Sequence, residues 1–325
     1  MLQSVIRQDP RMKQLFLNSS VFASRSFFTA VMLFLMLFLS GLSSHTVSAE
    51  LLVLYPEIRA PFSKIFEDIS AGAQEEFRGR TTLVSLDENE VALPIVKANR
   101  PDVILALGQR SVLSLELEKN QVPVVLGAVN DARYPFPGIL MIPDSKVILE
   151  KLIMLSPAVK RVHVVKKTPG EDIQLRGASE FLASQGKELI IHQGADIREA
   201  AAIYAELTKH ASSGDAVWIL QGGSFVNSAI LSMLLDVAWK KNLVVFSSNP
   251  LHVKHGALFA VYPDNRKMGA SLANLANRIL TSDVDQTMSP LQDVLLAVNE
   301  RTGNHLGLSL SSKLRDEVNL LLPAR

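Results

Sequence analysis

Short apolar runs alternate with longer amphipathic segments along almost all of the chain after residue 49, and this alternation limits the possible folds more than any other feature. An apolar run of about five residues predicts a buried strand, whereas apolar residues three or four positions apart predict a helix. Strands that alternate with helices form a parallel sheet covered by helices on both faces. The sequence therefore predicts an α/β fold.

The alternation runs through the chain twice in the same order. In the first round, strands are predicted at 51–55, 82–86, 103–107, 123–128 and 139–142, with helices at 62–77, 88–98, 111–119 and 144–155. In the second round, strands are predicted at 162–166, 188–192, 216–220 and 243–247, with helices at 173–184, 197–210 and 225–240. A strand at 258–262, a helix at 265–280, a polar surface connection at 281–290 and a strand at 294–298 follow.

Two such rounds of about a hundred residues predict two Rossmann-like lobes with parallel sheets, joined by a hinge and separated by a cleft. The predicted N-terminal lobe comprises residues 50–143 and is completed by part of 258–325, and the C-terminal lobe comprises residues 144–257.

One strand-turn-helix pattern occurs in both rounds. Residues 101–112 read PDVILALGQRSV and residues 215–226 read DAVWILQGGSFV, so that a serine, Ser111 or Ser224, stands nine positions after an aspartate and just after glycine. Ligands of open α/β sheets collect at the carboxyl ends of the strands, where backbone N–H groups at a helix start can hold an anionic group. We interpret the two turns as similar half-sites that face one ligand; the alternative is that each serine only caps a helix.

The N-terminus resembles an export signal rather than part of the fold. Residues 27–42 are apolar and uncharged, three basic residues precede them between positions 11 and 25, and the small-residue sequence VSA at 47–49 follows. This pattern predicts a signal peptide over residues 1–49 and a mature chain that starts at Glu50 in the periplasm. An uncleaved membrane anchor is the alternative, because residues 27–42 are only a little shorter than a spanning helix.

Charge and cysteine content exclude several classes of protein. Of the 33 basic and 32 acidic side chains, four basic and one acidic lie in residues 1–49, which leaves the remainder with a net charge near −2. Such a surface has no cationic excess, so no nucleic-acid partner is predicted. The chain has no cysteine, which excludes disulfides, thiolate metal sites, a cysteine nucleophile and a lipid-modified cysteine.

Polar residues also follow other predicted strands. Arg59 could make paired hydrogen bonds to a ligand carboxylate, or it could simply pair with Glu57. The Asn-Asp sequence at residues 130–131 suits a polar cleft wall and is also ordinary turn chemistry. Tyr262 and Asp264 are further candidates, and Asp264 could equally cap the next helix.

No catalytic or metal motif stands out. A Gly-x-Ser-x-Gly elbow, a His-Glu-x-x-His sequence and a phosphate-binding loop are all absent from the sequence. His252 and His255 would share one side of a helix as half of a metal site, but no third ligand is spaced nearby, so we interpret them as surface histidines. The sequence predicts no enzyme, no metal and no cofactor.

Several stretches, in this order and spacing, resemble the periplasmic substrate-binding proteins of ABC transporters, in particular the type I family typified by tryptophan, tyrosine and phenylalanine uptake. They are ILALGQRSV, PVVLGAVNDA at 123–132, VKRVHVV at 159–165, LVVFSSNPLHVKHGALFAVYPDNRKMGASLANLANRIL at 243–280 and VNERTGNHLGLSLSSKLRDEV at 298–318. The resemblance implies a clamshell that closes on a small ligand and is then read by a membrane partner.

The resemblance also implies that turns after the strands supply the ligand contacts. These turns are residues 56–63, 108–111, 129–131, 221–224, 247–249 and 262–264. The ligand-binding residues expected within them are Arg59, Ser63, Gly108, Gln109, Ser111, Asn130, Asp131, Gln221, Gly222, Gly223, Ser224, Asn249, Tyr262 and Asp264.

Two of these turns lack an acidic residue that relatives commonly carry. Gln221-Gly222-Gly223 stands where relatives have a Thr-Asp-Asn-like turn, and Asn249 stands where they often have aspartate. Both changes remove a carboxylate that could pair with a ligand ammonium, so the ligand class extends from amino-acid-like to other carboxylate-bearing molecules.

The resulting hypothesis is a solute-binding component that presents a small polar organic ligand to an ABC permease. The alternatives are a periplasmic sensor that signals to another inner-membrane protein and, less favoured, an enzyme that uses the cleft. Transcription repressors can share the fold, but here a signal segment stands in place of a DNA-binding headpiece.

Overall fold

A computed structural model describes residues 48–116, 119–167, 173–221, 225–282, 284–308 and 312–323. Nearly all of the predicted signal segment lies outside these residues, as do Gly222, Gly223 and Ser224. Within the described part, no helix combines the length and apolar character needed to cross a membrane.

The first sheet has six parallel strands in the order β11-β5-β4-β3-β1-β2. The strands are β1 (Ala49–Pro56), β2 (Gly79–Leu86), β3 (Val103–Leu107), β4 (Val124–Val129), β5 (Gly138–Pro143) and β11 (Met288–Leu291). The associated helices are α1 (Ser63–Glu76), α2 (Leu93–Asn99), α3 (Gly108–Ser114) and α9 (Asn265–Ile279). The central strands are buried on both faces, which explains why LLVL at 51–54 and VILAL at 103–107 are continuous apolar runs.

The second sheet has seven strands in the order β13-β12-β10-β9-β8-β6-β7, and only β10 with β12 is antiparallel. The strands are β6 (Arg161–Lys167), β7 (Glu188–Gly194), β8 (Asp215–Ile219), β9 (Val244–Ser247), β10 (Phe259–Pro263), β12 (Val294–Asn299) and β13 (Leu320–Leu322). The helices are α4 (Ser145–Leu155), α5 (Ala178–Ser184), α6 (Ile197–His210), α7 (Ser228–Lys241), α8 (Pro250–His255), α10 (Glu300–His305) and α11 (Ser312–Glu317), together with a short 3-10 helix at Ile173–Leu175.

Both faces of each sheet carry an apolar core. In the second sheet, Trp218, Phe246 and Phe259 stack side by side on three neighbouring strands and are almost fully buried. In the first sheet, α1 and α9 cover one face together, and the ion pair between Arg266 and Glu75 joins the two helices. The predicted two-lobed α/β fold with parallel sheets is confirmed.

Most predicted elements are present, and the differences have local causes. The strand at 103–107 and the helix at 197–210 have the predicted bounds. The helix predicted from 225 begins at Ser228, because Asn227 caps it by accepting a hydrogen bond from Ile230 N–H at 2.9 Å. The helix predicted from 111 begins at Gly108, directly after β3.

The prediction of a surface connection at 281–290 is wrong at its end. Residues 288–291, MSPL, form β11 and pair with β5 at the edge of the first sheet. The apolar pattern fails there because an edge strand needs few apolar residues and tolerates proline.

Candidate functional site

Two pockets lie at the carboxyl ends of the strands, one at each sheet. The first half-site, about 730 Å³, follows β1, β3 and β4 and is lined by Pro56, Ile58, Phe66, Gly108, Gln109, Arg110, Ala128, Val129, Asn130, Asp131, Arg133 and Tyr134. The second half-site, about 400 Å³, follows β8 and β9 and is lined by Ile197, Ile219, Leu220, Gln221, Phe225, Val226, Asn227, Ser247, Ser248, Asn249 and His252. Both occupy the position where open α/β sheets bind ligands.

Backbone geometry shapes the first half-site. Gly108 has φ +78°, and a Cβ built there would lie 3.2 Å from the ring of Phe66, so a side chain at this position would be both strained and crowded. Ala128 has φ +55° and lies at an irregularity in the pairing of β4 with β5, between Gly127 and Val129. Both residues line the pocket, together with Asn130.

Charged groups surround the first half-site. Arg133 donates hydrogen bonds of 2.9 and 2.8 Å to the two carboxylate oxygens of Asp131, and these bonds lower the pKa of Asp131 to about 2. Arg110 lies 3.8 Å from Glu88, which makes an ion pair but is too long for a hydrogen bond. Beyond the pocket wall, a hydrogen bond with Asp87 raises the pKa of Glu57 above its usual value.

The second half-site is less charged. Ser247 Oγ accepts a hydrogen bond of 3.1 Å from Asn249 N–H, and Asn249 Oδ1 caps α8 by accepting from Leu251 N–H at 3.0 Å. His252 lies half-buried at the pocket, and burial, together with the nearby His255, lowers its pKa, so its imidazole is neutral at pH 7. Among the described residues that line this pocket, none is acidic.

Phe225 stands out in the second half-site because its backbone has φ +54°. An aromatic residue rarely adopts this left-handed conformation, which costs on the order of 1–3 kcal/mol and tends to occur at functional sites. Its side chain packs partly against the core around Ile230 and Leu231 and also lines the pocket.

Comparison with known proteins gives the family. Residues 66–318 match the model of the family described as ABC transporter substrate binding protein. The chain belongs to this family. No curated protein matches this binding protein.

Solved structures share the fold of the binding protein at low identity. The ligand-free, open structure of a substrate binding protein with adhesive properties from Clostridium difficile has a TM-score of 0.62 at 15% identity, over 85% of this chain and 100% of the other. A domain in complex with L-Trp from Streptococcus pneumonia has a TM-score of 0.51 at 16% identity, again over 85% and 100%. A periplasmic ribose ABC transporter protein from Conexibacter woesei has a TM-score of 0.51 at 14% identity, with the same coverage. These likenesses show the fold.

The structure of the binding protein brings six of the predicted ligand residues to the half-sites. Gly108, Gln109, Asn130 and Asp131 line the first, and Gln221 and Asn249 line the second. Gly222, Gly223 and Ser224 lie outside the described residues.

The other five predicted residues lie elsewhere. Arg59 is exposed and Ser63 is the first residue of α1, and neither lines a half-site. Ser111 is fully buried inside α3 rather than at its cap, and its Oγ has no hydrogen-bond partner among the described residues. Tyr262 packs beside Val253 and Ala297, and burial raises its pKa.

Asp264 has a structural role, as the capping alternative proposed. Its carboxylate accepts a hydrogen bond of 3.1 Å from Lys267 N–H at the start of α9. Its side chain is largely buried, and its own N–H donates to the carbonyl of Asp293 at 2.9 Å.

Sequence reasoning missed the aromatic walls. Phe66 and Tyr134 line the first half-site and Phe225 lines the second, although all three look like ordinary core or loop residues in the sequence. Of the two histidines interpreted as surface residues, His255 is exposed, whereas His252 is half-buried on α8 and lines the second half-site. Among the described residues, no group of three or more histidine or acidic side chains could hold a metal ion.

Proposed function

We propose that this binding protein is exported to the periplasm, holds a small polar organic molecule between its two half-sites and delivers it to an ABC permease. The observation that carries the proposal is the pair of half-sites, each at the carboxyl edge of its own sheet and each combining aromatic with polar side chains. In this proposal, residues 50–143 form one lobe that α9 and β11 complete, residues 144–257 form the other lobe, which β10, β12 and β13 complete, and no nucleic acid is involved.

The chemistry of the half-sites supports an amino-acid-like or carboxylate-bearing ligand. Arg110 offers a cation to a ligand carboxylate in the first half-site, because its 3.8 Å ion pair with Glu88 is too long for a hydrogen bond. Asp131 does not compete for Arg110, because it already pairs with Arg133. Phe66, Tyr134 and Phe225 offer apolar faces to the body of the ligand. Gln221 and Asn249 offer uncharged polar groups in the second half-site.

In this proposal, the two lobes close because one ligand contacts both half-sites. A ligand that contacts both half-sites favours the arrangement in which they approach each other, and it shifts the equilibrium by its difference in affinity for the open and closed states. Arg59, Ser63, Gly222, Gly223 and Ser224 remain proposed contacts that closure would bring to the ligand.

A thermal-shift screen tests the proposal. The purified protein, freed of carried-over ligand by partial unfolding and refolding, is heated with L-amino acids, organic acids, nucleosides and sugars in turn. A true ligand at a hundred times its Kd stabilises the fold by about 2.7 kcal/mol, which gives a clear increase in Tm. A shift confined to amino acids or carboxylates is expected, and a shift confined to neutral sugars would contradict the ligand class.

A second measurement addresses delivery. The ligand found in the screen should stimulate ATP hydrolysis by the cognate permease in liposomes only when the binding protein is present. Tight binding without such stimulation would instead favour the sensory alternative.

A further inference from the structure

Gln174 makes an unusual contact for a side chain, because its amide pairs with both backbone groups of one distant residue. Its Oε1 accepts a hydrogen bond of 2.7 Å from Gln221 N–H, and its Nε2 donates one of 2.8 Å to Gln221 C=O. Gln174 lies in the short 3-10 helix after β6 and is only 5% exposed. The N–H requires an oxygen and the C=O requires an N–H, so the orientation of this amide is fixed by its partner.

Gln221 is the residue that needs such a contact. The ladder between β8 and β9 ends at Ile219 and Ser247, so the backbone of Gln221 lies beyond the last strand pair. Unpaired backbone groups are costly when buried, and the amide of Gln174 supplies the two hydrogen bonds that a neighbouring strand would otherwise provide. The side chain of Gln221 reaches the second half-site, where its Oε1 has no hydrogen-bond partner among the described residues.

We infer that Gln174 is a positioning residue for the second half-site, because it fixes the backbone of Gln221 and so presents the Gln221 side chain to the ligand. That the second half-site binds a ligand is part of the proposed function, on which this inference rests. The contact between Gln174 and Gln221 is present without any ligand. Glutamine suits this role specifically: asparagine is one methylene shorter, and ionised glutamate has no donor for the carbonyl.

Hydrogen exchange on the full chain without ligand tests the positioning. Gln174→Met keeps the length and approximate volume of the side chain and removes both hydrogen bonds. We expect the amide of Gln221 to exchange at least tenfold faster, while the amides of Val217 and Trp218 in β8 keep the parent rate. The control is Gln185→Met, since Gln185 is an exposed glutamine at the C-terminal end of α5. An unchanged rate at Gln221, or equal acceleration throughout β8, would overturn the inference.

Gln174→Glu provides a second variant in case the first perturbs packing. A protonated glutamic acid offers the same donor and acceptor as glutamine, whereas a carboxylate repels the Gln221 carbonyl. After correction for intrinsic exchange, protection of the Gln221 amide should be near the value of the parent protein at pH 4, where a glutamic acid with a pKa of about 4.3 is largely protonated, and at least tenfold lower than the parent value at pH 8. Equal loss of protection at both pH values would contradict the pairing.

Binding separates this inference from the proposed function. The probes are L-tryptophan, succinate and D-ribose, titrated calorimetrically into the parent and the Gln174→Met variant. If the parent binds one of them, we expect Kd to rise at least fivefold in the variant, and an unchanged Kd would overturn the positioning role. If the parent binds only D-ribose while Gln221 still loosens in the variant, the positioning is supported and the ligand class of the proposed function fails.

Discussion

The backbone N–H of Glu50 donates a 2.8 Å hydrogen bond to Asp102 Oδ2, and the N–H of Asp102 donates one of 2.9 Å to the carbonyl of Glu50. Glu50 is the residue at which the predicted mature chain begins. If export cleaves the chain after Ala49, the new α-ammonium group therefore forms beside the Asp102 carboxylate. Processing would convert a hydrogen bond into an ion pair.

We predict that Asp102→Asn destabilises a chain that begins at Glu50 by about 0.5–1 kcal/mol more than it destabilises the unprocessed chain, which has no charge at this nitrogen. The neighbouring carboxylate raises the pKa of the ammonium, so the extra stability is full at neutral pH and is lost as the pH rises above about 8. Urea midpoints from pH 6 to 10 measure it, with N-terminal sequencing of the exported protein to locate the cleavage. Equal effects in both chains would contradict the pairing.

Gly72 and Gly269 permit the close approach of α1 and α9. A Cβ at Gly72 would lie 1.9 Å from the carbonyl oxygen of Arg266, and a Cβ at Gly269 would lie 2.0 Å from that of Ile69. Either alanine variant forces the helices apart, and we expect a loss of about 2–3 kcal/mol in the free energy of unfolding. Gly214→Ala is the control, because nothing lies within 4 Å of a Cβ there. Urea denaturation distinguishes them, and equal midpoints would show that the helices can separate freely.

Asp215 is a buried carboxylate with several donors. Burial opposes its ionisation, but hydrogen bonds from Arg161 and Ser212 outweigh burial and lower its pKa from 3.8 to about 2. Because the folded pKa is the lower one, this stabilisation is full above pH 3.8 and is lost as the pH falls toward 2, by roughly 2 kcal/mol. Asp215→Asn should lower the urea midpoint at pH 7 and flatten its fall in acid. A variant as acid-sensitive as the parent would assign the acid response to other groups.

His163 and His192 form a second titrating pair beside Asp215. Their ring nitrogens Nδ1 and Nε2 lie 3.1 Å apart, and burial lowers both pKa values below 6.5, against the attraction of Asp215 for a protonated His163. Protonation of these rings is therefore harder in the folded state than in the unfolded state. The free energy of unfolding is highest above pH 6.5, where both rings are neutral, and it falls as the pH drops below that value. His192→Phe should reduce the difference in unfolding free energy between pH 7.5 and 5.5, because it removes one of the two buried rings that acid protonates. Urea denaturation at the two pH values gives the comparison, and an unchanged difference would assign the loss of stability in acid to other groups.

Arg110 should determine the affinity for a carboxylate. Arg110→Gln removes the cation of the first half-site that is not already hydrogen-bonded to a carboxylate. We expect the Kd of the ligand found in the screen to rise about tenfold, which is a loss of about 1.4 kcal/mol in binding free energy. Arg80→Gln removes a similarly weak ion pair far from the pocket, 3.5 Å from Glu50, and should not change Kd. Isothermal titration of both variants gives the comparison. Equal affinities would place the ligand carboxylate elsewhere.

The elements and their order could be read from the sequence. Strands such as residues 103–107 are buried on both faces and are therefore apolar throughout, and a helix such as residues 197–210 has one buried face and a capping aspartate. These are local signals, so two rounds of a parallel α/β pattern followed from them. The carboxyl ends of the strands follow from the same signals, and Gly108, Asn130 and Gln221, which come shortly after strands, line the two pockets.

Only the tertiary structure decided which side chains meet. Gln174 and Gln221 are 47 residues apart, and Gly72 contacts a helix almost two hundred residues away, so no local pattern marks either contact. Phe66 and Phe225 became pocket walls through helix packing and a left-handed backbone, while Ser111 turned inward because α3 begins three residues earlier than its pattern predicts. Periodicity determines the elements because burial repeats along one chain segment, whereas the site depends on contacts between segments, which periodicity does not encode.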